Sequence, residues 1–301
     1  MKIFIPMAGK GTRLRPFTLT QPKPLLEIIH KPIVEHLINQ ITSTLSLDID
    51  EIIYILGDEA YFNSSVVDYR TLISKKYNAK TRVYRQLEQL GTGHAIMCAE
   101  ESLSGPSIIA YADTMIQGKV VIDPDVDGMI WVKKVKNPSS YGVVNLDKEL
   151  NVTQLIEKPK NFISDLAVVG IYYFKDISLI RDELRTHLQD KLPPGKEYLL
   201  NHGIEKMIEK RKIFKSQEID TWMDCGTPKL LVESAKIIMK SNEGLSSEDN
   251  CTKQGTVKIN NPEYIEKLLP IIKKNCTTKF DESVDLSFQI NNKQKKSEVN
   301  I

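Results

Sequence analysis

No Cys-X-X-Cys pair occurs in the sequence, and its four cysteines (Cys98, Cys225, Cys251 and Cys276) stand far apart. Neither a zinc knuckle nor a disulfide framework is expected, and isolated thiols fit a reducing compartment. Also missing is any apolar stretch approaching the ~18 residues that a membrane helix needs. The opening run MKIFIPMAGKG is too short for a signal-peptide core, so a cytoplasmic location without a membrane partner is expected. An excess of one charge is lacking too: 41 basic and 39 acidic residues leave a formal net charge of +2. That balance argues against a broad nucleic-acid surface, and no nucleic-acid partner is expected, although a local anion site could still be basic. No internal repeat is visible.

What the sequence does contain is an alternation of strand and helix patterns. Lys2–Met7 is a short apolar run ending in glycines, as in a buried strand entering a loop. Pro32, followed by apolar Ile33, Val34, Leu37, Ile38 and Ile41, marks the first turn and buried face of a helix. Further strands are expected at Glu51–Gly57, Arg82–Gln86, Ser107–Asp113, Met129–Val135 and Ala167–Phe174. Helices are expected at His94–Leu103, Ile177–Leu188 and about Lys229–Lys240. Tyr141–Asp147 and Val152–Ile156 flank the polar Lys148–Asn151 and read as an inserted hairpin. These patterns predict an α/β, Rossmann-like fold: a mostly parallel mixed sheet with helices on both faces and a small β-rich insertion. The main domain is expected over 1–240, a polar linker over 241–255, and a short appendage over 256–301. Within the appendage, a short helix over 262–274 would be interrupted by Pro270, and 291–301 reads as disordered.

The segment Met7-Ala8-Gly9-Lys10-Gly11-Thr12-Arg13 follows the first strand. Backbone N–H groups converge on an anion only where side chains do not block the approach, which is why phosphate loops use glycine. A plain tight turn fits the same glycines. A dinucleotide fingerprint needs a third glycine where this chain has Leu14, and the spacing of a P-loop is absent. Instead, Arg13 and Lys23 place two cations beside the turn, as a triphosphate would require.

GKGTRLRP followed by QPKPLLEI resembles the signature of the sugar-1-phosphate nucleotidyltransferases, and the similarity continues over roughly residues 1–240. The segment from Gln86 to Ala95, QLEQLGTGHA, is similar to the base-recognition segment of N-acetylglucosamine-1-phosphate uridylyltransferases. The resemblance implies that Met7, Ala8, Gly9, Gly11, Thr12 and Arg13 hold the nucleotide, with Gln86 on the base and Gly91 and Thr92 near base and ribose. A side-chain amide suits that role because it offers both a donor and an acceptor. Asp113, at the end of SIIAYAD, and Asp224, in WMDCGTP, would be Mg²⁺ ligands, a carboxylate set that suits Mg²⁺ better than Zn²⁺. Tyr141, Gly142, Glu157, Lys158, Gly170 and Tyr172 would bind the sugar phosphate.

On this resemblance the substrates are an NTP and a sugar 1-phosphate, the cofactor is Mg²⁺, and Arg13 and Lys23 are the catalytic cations. No nucleophilic side chain is needed, so Cys225 has no expected chemical role. Self-association is a family expectation. The LGTGHA segment points toward uridylyl transfer to an amino sugar, whereas RLRP and WMDCGTP resemble thymidylyl- or uridylyltransferases of glucose 1-phosphate, so base and sugar stay open. A non-catalytic nucleotide-sugar-binding regulator and a cytidylyltransferase-like enzyme of non-sugar phosphates are the alternatives. Many relatives carry a hexapeptide-repeat β-helix, and residues 256–301 show no such repeat.

Overall fold

The computed structural model describes residues 1–29, 31–45, 48–58 and 64–243. Strand β1 (Lys2–Pro6) leads into the glycine loop, which winds through short 3-10 turns to β2 (Glu27–Ile28) and β3 (Lys31–Pro32). Next come α1 (Ile33–Leu45), β4 (Glu51–Leu56), α2 (Ser64–Tyr77), β5 (Lys80–Arg85) and α3 (Thr92–Met97). The middle of the chain is strand-rich: β6 (Ser107–Ala110), β7 (Thr114–Gln117), β8 (Gly128–Lys134), β9 (Gly142–Leu146), β10 (Val152–Glu157) and β11 (Leu166–Phe174). Finally come α4 (Ser178–Gln189), α5 (Leu200–Glu209), β12 (Phe214–Glu218), β13 (Thr221–Asp224) and α6 (Pro228–Glu243).

A mixed sheet runs in the order β10-β9-β11-β6-β1-β4-β5, with β8 beside β11 and β12 beside β8. β6, β1, β4 and β5 are mutually parallel, while β11 runs antiparallel to β6, β8 and β9. The chain passes from β1 to β4 and β5 on one side, then returns to set β6 on the other edge of β1. That reversal is the switch point at which open α/β sheets bind ligands beyond their carboxyl ends. Alternate residues divide the core between two faces. Ile3, Ile5, Ile52 and Tyr54 pack with Val34, Leu37 and Ile41 of α1 on one face. Phe4, Ile53 and Ile55 pack with residues of α3, α4 and α5, including Ile96, Ile180 and Ile204, on the other.

The sheet forks at β11. Residues 171–174 pair with β6, whereas Ala167 pairs with Val143 of β9, and the register against β8 breaks between Val168 and Tyr172. Gly170 sits at the fork with φ +84°, and a Cβ there would lie 2.7 Å from Cδ2 of Tyr111.

Several expected boundaries shift. The strand expected over Ser107–Asp113 stops at Ala110, so Asp113 lies in the turn before β7. The helix expected over His94–Leu103 begins at Thr92 and ends at Met97, with a separate 3-10 turn at Glu100–Ser102. α6 extends to Glu243, so residues 241–243, expected in the linker, are helical. The rest of that linker and the appendage lie outside the described residues. α2, α5, β2, β3, β7, β12 and β13 were not anticipated from the pattern.

Candidate active site

Met7 and Ala8 follow β1 and are buried, and the Met7 N–H donates to the Ile55 carbonyl at 2.9 Å. A side chain at Gly9 would meet nothing within 4 Å, so this glycine keeps the loop backbone open to approach. Gly11 has a different reason. Its φ is +59°, and a Cβ would come within 2.9 Å of Thr18 Cγ2 and 3.1 Å of Lys23 Cβ. The Thr18 hydroxyl donates to the Gly11 carbonyl at 2.8 Å. The chain thus folds back onto the glycine turn, which brings Lys23 to a loop twelve residues earlier in sequence. A cavity of about 480 Å³ opens here, at the carboxyl ends of β1 and β6. Its walls bring together Met7, Ala8, Gly9, Gly11, Thr12, Arg13, Lys23, Gln86, Gly91, Thr92 and Asp113, every residue expected on the nucleotide side.

Lys23 is buried, with a side chain 11% exposed, and its Nζ donates to Asp113 Oδ2 at 2.7 Å; the Asp113 side chain is 38% exposed. A cation held this far from water needs such a partner. β13 pairs antiparallel with β7, with Asp224 opposite Thr114, and the Cys225 N–H donates to the Asp113 carbonyl. The two aspartates are therefore set side by side. Burial, with Asp113 adding like charge, raises the Asp224 carboxyl above the usual range, while a Gly226 N–H donating at 2.6 Å opposes this. Arg13 and Asp224 both crowd Gly226: a Cβ there would be 3.2 Å from Arg13 Nη2 and 2.7 Å from Asp224 Oδ1. The thiol of Cys225 is fully buried and pushed up to about 12 by burial, which suits packing and not nucleophilic chemistry.

None of the residues expected on the sugar side lines this cavity, but Gly170 and Glu157 neighbour its wall residue Tyr111. The rings of Tyr141 and Trp222 pack edge to face at 5.0 Å, and Tyr141 feels the charges of both Asp224 and Arg13. Gly142 and Glu157 face each other across β9 and β10. Lys158 is largely exposed, its Nζ 3.7 Å from Glu157 Oε1. Gly170 gives Tyr111 its space.

Tyr172 departs from the expected role. It is 1% exposed, and its hydroxyl donates to Asn201 Oδ1 at 2.8 Å. Strand alternation turns this side chain into the core, where it cannot touch a sugar. Asn201, on α5, then donates from Nδ2 to Glu157 Oε2 at 2.8 Å. Asn201 was missed because nothing in its local sequence signals a partner 44 residues away. Gln89, whose Nε2 donates to the Ala8 carbonyl at 3.0 Å, and the cavity-lining Tyr111 and Glu197 were missed likewise.

Among the described residues no three or more His, Cys, Asp or Glu side chains are grouped as a closed metal site. Asp113 and Asp224 nonetheless fit Mg²⁺, which takes one or two carboxylates and completes its shell with water and substrate phosphates. Asp113 adds like charge to the buried Asp224 carboxyl, while Lys23 and Arg13 oppose it.

A family model described as nucleotidyl transferase matches residues 4–241. The chain is 32% identical over 270 residues to the bifunctional protein GlmU of Methanocaldococcus jannaschii, covering 86% of this chain and 60% of that protein. It is 27% identical over 255 residues to a probable mannose-1-phosphate guanylyltransferase of Arabidopsis thaliana, covering 80% of this chain and 66% of that one. The chain therefore spans less than two thirds of these curated relatives. Among solved structures, a nucleoside-diphosphate-sugar pyrophosphorylase from Vibrio cholerae superposes with a TM-score of 0.67 at 20% identity, covering 78% of this chain and 99% of that one. The mixed sheet and its helices are the fold these proteins share. Among the described residues no helix is long and apolar enough to cross a membrane.

Proposed function

The chain belongs to the nucleotidyl transferase family, and on that premise we propose that it transfers a nucleotidyl group from an NTP to a sugar 1-phosphate. The products are an NDP-sugar and pyrophosphate. The observation that carries this reading is the one cavity wall that joins the glycine loop, Lys23, Gln86 and Asp113.

A sugar 1-phosphate is already anionic near neutral pH, so the reaction needs no general base. One of its oxygens attacks the α-phosphorus and forms the new P–O bond. The α–β bridging bond breaks, and its electron pair leaves on pyrophosphate. The protein's share is alignment and charge neutralisation. Loop N–H groups and Arg13 hold the triphosphate, Lys23 neutralises charge near the reacting phosphates, and Lys158 orients the nucleophile. Asp113 and Asp224 would hold Mg²⁺, which when bound supplies positive charge between the two anionic reactants.

UTP or dTTP is the proposed donor, on the strength of Gln86 and its LGTG neighbours. Relatives named for guanylyl transfer make the donor base the point to test first. The charged residues Arg13, Lys23, Asp113, Lys158 and Asp224 are all present, which favours catalysis over a purely regulatory role.

A matrix of UTP, dTTP, CTP, GTP and ATP against several hexose 1-phosphates, scored by pyrophosphate release with Mg²⁺, tests the proposal. Turnover is expected with UTP or dTTP, and Arg13→Ala or Asp113→Asn should lower it by about 10²–10³ without unfolding the protein. No turnover in any pairing refutes the reading.

A further inference from the structure

We propose that His94 is a positioning residue for nucleobase selection: it locks the Gln86 side-chain amide so that only the carbonyl oxygen is offered to the base. The inference rests on the nucleotide reading above and deepens it by assigning the class of base.

Gln86 is buried, 5% exposed, and lines the cavity. Its Nε2 donates to the Gly91 carbonyl at 2.9 Å and contacts His94 Nδ1 at 3.0 Å. The orientation of an amide is decided by its neighbours. Here a carbonyl oxygen on one side admits only the NH₂ end, since two acceptors would repel. The remaining N–H then needs an acceptor, and Nδ1 supplies one only when the ring is neutral with its proton on Nε2. Burial favours the neutral ring by lowering its proton affinity, against the charge of Glu88 and an interaction of the ring with the Glu88 backbone carbonyl, which the Nε2–H is left to make. Both amide hydrogens are therefore spent inside the protein. Among the described residues Oε1 has no hydrogen-bond partner, yet it is not sealed from solvent, which leaves it as the atom facing the cavity.

An amide that presents only an acceptor selects a base edge that presents a donor. The imide N–H of uracil or thymine meets that need. Cytosine offers a ring-nitrogen lone pair at the same place and leaves two acceptors opposed. A missing hydrogen bond of this kind corresponds to about 10- to 100-fold in affinity. Without the lock, the amide can rotate and serve cytosine with its NH₂ end.

The test measures UTP and CTP binding by calorimetry, without sugar phosphate, for the wild-type protein, His94→Leu and His94→Asn. The wild type is expected to prefer UTP by about 10- to 100-fold. His94→Leu should lose most of that preference, and His94→Asn, which keeps a carbonyl acceptor where Nδ1 sits, should retain it. A His94→Leu protein that selects UTP as the wild type does overturns the role of His94 alone. A wild type that binds neither nucleotide overturns the nucleotide reading and this inference with it. Nitrogen NMR of labelled histidine in the wild type tests the lock without any substitution. At neutral pH the proton should reside on Nε2 of His94, and a proton found on Nδ1 overturns the proposal even if His94→Leu fails to fold.

Discussion

Asn201→Ala cuts a buried link between β11 and β10 and leaves both of its partners behind. The Tyr172 hydroxyl, 1% exposed, loses its acceptor with no water to replace it. A buried donor stranded in this way costs about 1–3 kcal/mol. Glu157 loses a 2.8 Å bond from Asn201 Nδ2, but its side chain is 21% exposed, so water recovers part of the loss. A charge-assisted bond with partial rescue adds about 1 kcal/mol. The expected destabilisation is therefore about 2–4 kcal/mol, measured as a shift in the urea unfolding midpoint at neutral pH. Tyr172→Phe removes the donor instead, strands only one lone pair of Asn201, and should cost about 1 kcal/mol. In the Tyr172→Phe background Asn201→Ala should cost less than alone, because the stranded hydroxyl is already gone. Function should split as well: freeing Glu157 should raise KM for the sugar 1-phosphate several-fold and leave KM for the NTP nearly unchanged. A loss of stability under about 0.5 kcal/mol would refute the reasoning, since that is the range of substitutions touching nothing important. So would an effect on the NTP alone.

Gly11→Ala should cost about 1–2 kcal/mol from the left-handed backbone alone, and the crowded Thr18 and Lys23 contacts should displace the loop enough to raise KM for the NTP. Unchanged NTP kinetics would mean that the loop does not hold the triphosphate. His36, His94 and His202 all have their proton affinity lowered from the ordinary value near 6.5, chiefly by burial; His36 Nε2 is 2.7 Å from the Ile28 carbonyl. The folded state then binds fewer protons than the unfolded one, so these groups contribute full stability above pH 6.5 and lose it as pH falls through the lowered values. Urea midpoints should drop between about pH 7 and pH 5, and a midpoint rising over that range would contradict the assignment.

The nucleotide side was legible because its signals are local. A glycine at a left-handed turn, a strand of alternating apolar residues before it, and the apolar face of α1 each depend on a few neighbouring residues, whereas Pro32, expected in that helix's first turn, ends β3 just before it. Gln86 and Asp113 fall on the carboxyl side of β5 and β6, where the alternation of strand and helix places loops over one edge. The sugar side was less legible because its logic is tertiary. β7 and β13 each span only four residues, too few for a period to emerge, yet their pairing is what sets Asp113 beside Asp224. Tyr172 was assigned to the ligand from motif likeness, whereas the face it takes depends on the register break in β11. Asn201 and Glu197 reach the site only through the packing of the α4–α5 region against α3, which no short window of sequence describes.

That packing explains how two substrate halves can share one geometry. Leu200 N–H donates to the Thr92 hydroxyl at 3.0 Å, and the ring of Tyr111 packs edge to face on that of Tyr172 at 5.8 Å. Tyr172 passes to Asn201 and Asn201 to Glu157. A run of packed side chains thus leads from Tyr111 in the wall of the nucleotide cavity, through Tyr172 and Asn201, to Glu157 of the hairpin. It crosses the fork in the sheet at Gly170, where β6 and β9 part and the backbone alone would hold the halves least firmly. The bonds from Tyr172 to Asn201 and from Asn201 to Glu157 resist distortion, because moving either link strands a polar group away from water. An in-line displacement depends on the distance between nucleophile and phosphorus, to which rates respond steeply. On the proposed reading, the chain's work is to keep that distance fixed across the fork at β11.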